Sequence, residues 1–215
     1  MRIARTAEQR QAVQDGILAA ALAIISADGV RALTMRELGC RTGMTAGNLY
    51  NFFQDKDEIV LTLQLRGFVA LDAALAAALA AAKEPAKQAP AALQAYVTWA
   101  LANRGLYEIM FAPGLPKFTA YRGTPLEGLA NEEHLASMRM AETAGDAIER
   151  LVGRLPKKDR SAALAGVWSL LHGVVSLEIA GNLAYAGADA RSVVERVWRM
   201  LAPLAGAAPA PKRRR

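Results

Sequence analysis

The side chains best placed to do chemistry fall in one window, residues 34–53, TMRELGCRTGMTAGNLYNFF. Thr45, Ala46, Gly47, Asn48 and Tyr50 are short, polar or flat. Gathered on one outward face, such groups allow close approach to the edges of base pairs. A surface asparagine amide can pair bidentately with adenine. The N-terminus of the helix that carries them would aim backbone N–H groups at phosphate. Other chemistries lack their residues. Two histidines, His134 and His172, and one cysteine, Cys40, exclude a disulfide framework and a metal centre built on His or Cys. There is no GxSxG, no Walker loop and no GxGxxG following a strand. Glu132-Glu133-His134 misses the Glu-x-x-His spacing of dimetal bundles, and Ser169 and His172 have no third partner. The expectation is a chain that is not an enzyme, with no cofactor and no metal. Cys40 reads as a small buried apolar residue, at home in a reducing cytoplasm.

The elements that must hold this window are helical, because apolar residues recur at helical spacing almost throughout. Helix 1 is expected from about Ala7 to Ala27, with Ile17, Leu18, Ala21, Leu22 and Ile25 as its buried stripe. Asp28-Gly29 ends it, Gly29 serving as a left-handed cap. Thr34 with Glu37 three residues later is a capping box that opens helix 2, which stops before Gly43. Helix 3 runs from Thr45 to about Phe53. Two helices joined by a short glycine-containing turn make a helix-turn-helix. Gly39 permits the close crossing, and Gly43 supplies the positive φ of the turn. Leu38, Met44, Leu49 and Phe52 or Phe53 anchor the motif inward. Asp55-Lys56-Asp57-Glu58 caps a long helix that continues to Lys83.

Beyond it, helices are expected over Ala91–Asn103, Leu106–Phe111, Ala130–Leu155, Lys157–Ala186 and Ala190–Leu204. Residues 112–128, with three prolines and three glycines, form a long loop. The fold class is therefore all-α, with about nine helices. The longest apolar stretch, Ile59 to Ala82, carries Arg66 and Asp72, and reads as a long packed helix rather than a membrane span.

The pattern Ile17-Leu18, Ala21-Leu22, Gly29, Leu33-Thr34, Glu37-Leu38, Gly43-Met44-Thr45, Gly47-Asn48-Leu49-Tyr50, Phe53 and Lys56-Asp57-Glu58 resembles the N-terminal domain of TetR/AcrR-family transcriptional regulators. The resemblance covers about residues 10–60. It implies a three-helix DNA-binding domain over 10–60, followed over 61–204 by a helical domain that dimerises and binds small effectors. It implies phosphate contacts from Thr34 and Lys56. Arg36 would reach phosphate or a groove edge. Thr45, Ala46, Gly47 and Asn48 would lie nearest the bases, with Asn48 as the direct reader. Tyr50 would meet phosphate or a thymine methyl. Two positions depart from the family pattern. Phe52 stands where His is frequent. Gly39 stands where Ala is commoner, at about 1 kcal/mol of helix propensity.

In the second half, Trp168, Leu171, His172 and Val175 share one helical face, and Leu170, Val174 and Leu177 another. Gly173 within that helix implies a backbone or ligand close by. The last helix adds Val194, Val197, Trp198 and Leu201. Two such helices from each of two chains would make a four-helix dimer interface. The run Trp168 to His172-Gly173 is similar to a Trp…His-Gly motif of one class of TetR-family C-terminal domains. Trp99, Tyr107, Met110, Phe111, Tyr121, Trp168 and His172 are candidate effector contacts, Trp99 and Tyr107 acting together.

Charge adds little. The net +6 comes largely from Lys212, Arg213, Arg214 and Arg215, and residues 1–60 hold seven basic and seven acidic groups. DNA binding must therefore rest on the motif, not on bulk charge. Residues 205–215 read as a disordered basic tail. The partners expected are a near-palindromic double-stranded operator, a small molecule and a second copy of the chain, with no membrane. The functional expectation is a cytoplasmic homodimeric regulator, a repressor released by its effector. The competing reading is an all-helical dimeric interaction or ligand-binding protein without DNA binding. A helix that merely packs would not need Thr45, Gly43 and Gly47 together.

Overall fold

The structure, a computed structural model, describes residues 6–152 and 156–206, without the side chains of 150–152, 157, 158 and 201–206. Ten α-helices and two short 3-10 segments, and no strand, are found among the described residues. They are α1 (Ala7–Asp28), α2 (Met35–Thr42), α3 (Ala46–Leu49), α4 (Lys56–Ala81), α5 (Pro85–Ala102), α6 (Arg104–Met110), α7 (Glu127–Val152), α8 (Lys157–Ile179), α9 (Asn182–Tyr185) and α10 (Ala190–Gly206). The 3-10 segments are Val30–Ala32 and Phe118–Tyr121.

Local chemistry sets these boundaries. A reciprocal capping box opens α1: Thr6 Oγ1 accepts from the Gln9 N–H at 3.2 Å, and Gln9 Oε1 accepts from the Thr6 N–H at 3.0 Å. At α2 only half of the expected box forms. Thr34 Oγ1 accepts from the Glu37 N–H at 3.1 Å, but the Glu37 carboxylate turns to the Arg41 guanidinium at 2.9 Å. An ionised i, i+4 partner is the stronger draw for that carboxylate. Gly29 has the positive φ expected, 79°, but with an extended ψ of 167° rather than the left-handed helical value. Gly43, at φ 67° and ψ 17°, is the left-handed cap the turn needs.

Several expected boundaries move. The helix expected from Ala91 starts six residues earlier, with Pro85 at its first position, where a missing N–H costs nothing. Pro90 lies within its second turn. The helix expected to run to Ala186 stops at Ile179, and Gly181 adopts φ 73° before the one-turn α9. The glycine- and proline-rich segment is no bare loop: it carries Phe118–Tyr121, and Tyr121, Leu126 and Ala130 form a small core with Leu61.

The chain forms two compact units. The first holds residues up to Phe68 together with Asn103–Ser137; the second holds Val69–Ala102 and the chain from Met138. These units are drawn differently from the division expected at residue 60, with α6 and the start of α7 in the first unit. Its core joins Ile17, Leu18, Ile24 and Ile25 of α1 to Leu38, Leu49, Phe53, Ile59 and Ile109. Ile24 is wholly buried where the stripe expected Leu22, which is half-buried. In the second unit α5, α8 and α10 pack on one another. Arg160 of α8 pairs there with Asp146 at 2.8 Å and Glu149 at 3.1 Å of α7.

Two helices, α4 and α8, are long and apolar enough to cross a membrane by length and composition alone. Half of the relevant window of α4 is buried in the protein, and its Ile59, Leu63, Leu71 and Leu75 are core residues. For α8 the share is 17%, so fewer of its residues are fully buried than in α4.

Candidate functional site

The helix-turn-helix is built around one tight crossing. A Cβ placed on Gly39 would come within 2.7 Å of the Met44 carbonyl oxygen, so only glycine fits without a shift. The Met44 N–H donates to the Gly39 carbonyl at 3.1 Å and closes the turn. Thr45 then caps α3, its Oγ1 accepting from the Asn48 N–H at 3.2 Å. Regular α-helix ends at Leu49, four residues short of the expected Phe53, but turn bonds carry the chain on. Phe52 and Phe53 both donate to the Leu49 carbonyl, at 2.9 and 3.1 Å.

This geometry sorts the side chains. Leu49 is completely buried, and Phe52 and Phe53 are both core. Thr45, Ala46 and Gly47 are exposed, Asn48 is half-exposed, and Tyr50 is 53% exposed. Thr34 and Arg36 are exposed on α2, and Lys56 is half-buried at the start of α4. The six-residue stretch after Met44 therefore offers a hydroxyl, an amide, a phenol and a nearly bare backbone to one side. Asn48 Oδ1 meets the Asn51 amide at 3.5 Å, a long contact that leaves its donor edge outward. Cys40 departs from its expected place: it is exposed, on the outer face of α2.

Sequence reasoning missed the support behind α3. Arg10 of α1 donates to the Asn51 carbonyl at 2.8 Å and lies over the Phe52 ring, 5.2 Å from its centroid. Gln14 donates to the Phe52 carbonyl at 3.3 Å. The phenylalanine that stands where histidine is frequent thus serves as a floor for a guanidinium. At the other flank, Asp55 Oδ1 accepts from the Glu58 N–H at 2.9 Å, and Glu58 Oε2 accepts from the Gln54 N–H at 2.6 Å. The expected cap on α4 is therefore formed, through Asp55 and Glu58.

The candidate effector contacts divide between the two units. Tyr107, Met110, Phe111 and Tyr121 belong to the first unit, while Trp99, Trp168 and His172 belong to the second. Tyr107 is buried edge-on against Phe111, at 5.0 Å between centroids. A Cβ on Gly67 would collide with the Met110 side chain, so Met110 fills the space that Gly67 leaves. Tyr121 donates its hydroxyl to Asp57 at 3.3 Å. Burial first, and the Asp57 charge second, push its phenol well above the usual range. Trp168 is exposed and tilts against the His172 ring, and burial pushes that imidazole down. None of the seven lines the large cavity of the second unit.

That cavity, about 530 Å³, is walled by α4, α5, α7, α8 and α10. Leu170, Val194, Val197 and Trp198, expected at a dimer interface, are among its lining residues. Val174 and Val194 are buried within the unit, and Leu177 is 44% exposed. The Leu201 side chain lies outside the described residues. Gly173 does not meet the close neighbour expected of it: a Cβ there would find nothing within 4 Å. Among the described residues no cluster of His, Cys, Asp or Glu could hold a metal.

The sequence matches the family description "Bacterial regulatory proteins, tetR family" over residues 17–63. It matches "Tetracyclin repressor-like, C-terminal domain" over residues 89–201. No curated relative matches the chain. Solved structures share its fold. A bacterial regulatory protein of the tetR family from Rhodococcus RHA1 is 22% identical with a TM-score of 0.68, covering 89% of this chain and 96% of that one. PfmR, a TetR-family transcriptional regulator from Thermus thermophilus, is 20% identical with a TM-score of 0.66 over 86% of this chain and 96% of its own. The fatty acid degradation regulator FadR from Bacillus halodurans is 17% identical with a TM-score of 0.63 over 94% and 97%. With a glycine-hinged pair of amino-terminal helices, an exposed polar face on the second, and family matches over both halves, the chain belongs to the TetR family of DNA-binding transcriptional regulators.

Proposed function

We propose that the protein is a cytoplasmic homodimeric repressor that holds a near-palindromic operator and leaves it when a small molecule binds. The observation that carries this reading is the outward Thr45–Tyr50 face above a fully buried Leu49. In the proposed complex α3 enters the major groove and Asn48 reads adenine. Ala46 and Gly47 allow close approach. Thr45 lies with them nearest the bases, and Thr34 and Lys56 hold phosphates, with Arg36 and Tyr50 at the margins. Two copies would place two such helices roughly 34 Å apart, one turn of the duplex.

Support for the second copy comes from α8. Leu170 is 37% exposed, Trp168 and Leu177 are exposed, and a Cβ on Gly173 would meet nothing within 4 Å. An exposed apolar face of this kind suits the close approach of a partner helix. Support for release comes from α4. It is one unbroken helix whose first residue is Lys56 and whose Leu75 lines the cavity. A ligand that favours one setting of α4 would change the spacing of the two heads.

Light scattering and a mobility shift on DNA fragments selected by the purified protein test the reading together. The expected result is a dimer whose binding weakens steeply with salt and selects a palindrome. A monomer, or a dimer indifferent to sequence, would refute it.

A further inference from the structure

The chemistry of the ligand follows from the walls of the second unit's cavity. Among the described residues its lining is drawn from Leu, Ile, Val, Ala, Gly, Tyr and Trp. Among those residues no charged side chain, amide or aliphatic hydroxyl faces it, and the polar side-chain atoms are the Tyr96 hydroxyl and the Trp198 indole N–H. The space exists because six wall positions are small: Ala89, Ala92, Ala144, Ala147, Ala163 and Gly166. A helical core that served packing alone would fill these with larger residues, since an empty apolar void is destabilising. The volume lies within the roughly 300–1,000 Å³ of small-molecule sites.

We propose that this cavity takes an electrically neutral, mainly hydrocarbon molecule with at most one polar end, and rejects ions of either sign. The proposal rests on the effector reading above and narrows its ligand class. Among the described residues an ion entering here would meet no counter-charge and no set of hydrogen-bond partners to replace its water. The charged side chains Lys87, Arg191 and Glu195 line a different recess, of about 490 Å³, between α5 and α10. That recess shares only Leu93, Val194 and Trp198 with the apolar cavity.

The test uses the full chain without DNA and three probes with a ten-carbon chain, each below its solubility limit or micellar concentration, at about pH 7.5: decan-1-ol, decanoate and decyltrimethylammonium. Tryptophan fluorescence and thermal unfolding are read for each. The alcohol is expected to give a saturable fluorescence change and a raised Tm. Both ions should bind about 100-fold more weakly or worse, the size of an unrepaid desolvation. Ala163→Leu, with Ala92→Leu as a second filling variant should the first misfold, should keep the Tm and lose the alcohol. Ions that bind as tightly as the alcohol would overturn the proposal. So would an alcohol response that survives in a folded filling variant, or no response from the alcohol at all. Decanoate preferred over the alcohol, with that preference lost in Arg191→Gln, would overturn it in favour of an anionic head beside Lys87 and Arg191. Because no operator is present, these outcomes stand apart from the mobility shift, which can fail on its own.

Discussion

Gly39 shows how a single missing methyl group sets a DNA-binding motif. Alanine there would gain about 1 kcal/mol of helix propensity. Its Cβ would also meet the Met44 carbonyl at 2.7 Å, a backbone atom that cannot swing aside. Overpacking of this kind costs about 1–3 kcal/mol. Gly39→Ala is therefore expected to lose on the order of 1 kcal/mol net in urea unfolding and to weaken operator binding as α3 is displaced. Asn48→Ala separates recognition from stability. Its side chain makes one long contact, so unfolding should change by less than about 0.5 kcal/mol, whereas binding to the selected operator should fall by about 1–3 kcal/mol. Equal loss on all DNA sequences would take Asn48 out of the reading role. Residue types alone made Gly39, Gly43, Thr45 and Leu49 legible, because each answers a geometric demand of the turn. Arg10 and Gln14 were not legible, because their partners lie 41 and 38 residues away and are backbone carbonyls, which carry no sequence signature.

At the scale of elements, α6 is the piece the sequence hid. Its apolar and aromatic residues look like those of a pocket, yet Tyr107, Ile109 and Met110 are buried in the first unit. One polar contact pins it there. The Ile109 carbonyl would be paired in a continuing helix with the N–H of residue 113, but residue 113 is proline and has none. Gln64 of α4 donates its amide to that carbonyl at 3.0 Å from a buried position. Gln64→Leu should cost about 1–3 kcal/mol, the toll of an unpaired buried acceptor, seen as a lower urea midpoint at unchanged m. On α8 the prediction concerns association. Leu177→Glu sets a charge on the exposed apolar face, so light scattering should show dissociation at micromolar protein while helical circular dichroism is kept. The starts of α2 and α3 were readable because their threonine caps are local. The end of α8 was not, since Gly181 in an alanine-rich run gives no periodic warning, and neither was the cavity, whose alanines are ordinary helix formers until five helices face one another.

For the molecule as a whole, stability against pH mixes opposing groups. Burial raises the Glu133 carboxyl above its usual range, with the Lys117 charge pulling the other way. The folded state therefore holds that carboxylate at a penalty near neutrality, and the penalty fades as pH falls through the raised folded value. Asp15, lowered first by its bond to Arg66, and Asp189, lowered first by the Ser192 backbone, run oppositely and lose their stabilisation on acidification. Glu133→Gln isolates one strand of this mixture. It should raise the Tm at about pH 7, and its advantage should shrink to nothing by about pH 4, where folded and unfolded carboxyls alike take up their protons. An advantage that grows on acidification would contradict the burial. Finally, the reach of Arg10 across to Asn51 and Phe52 ties the pose of the reading helix to the opening turn of the chain. Heritable changes in operator preference can then arise in the first dozen codons. A randomised library confined to the turn and the helix after it would never sample them.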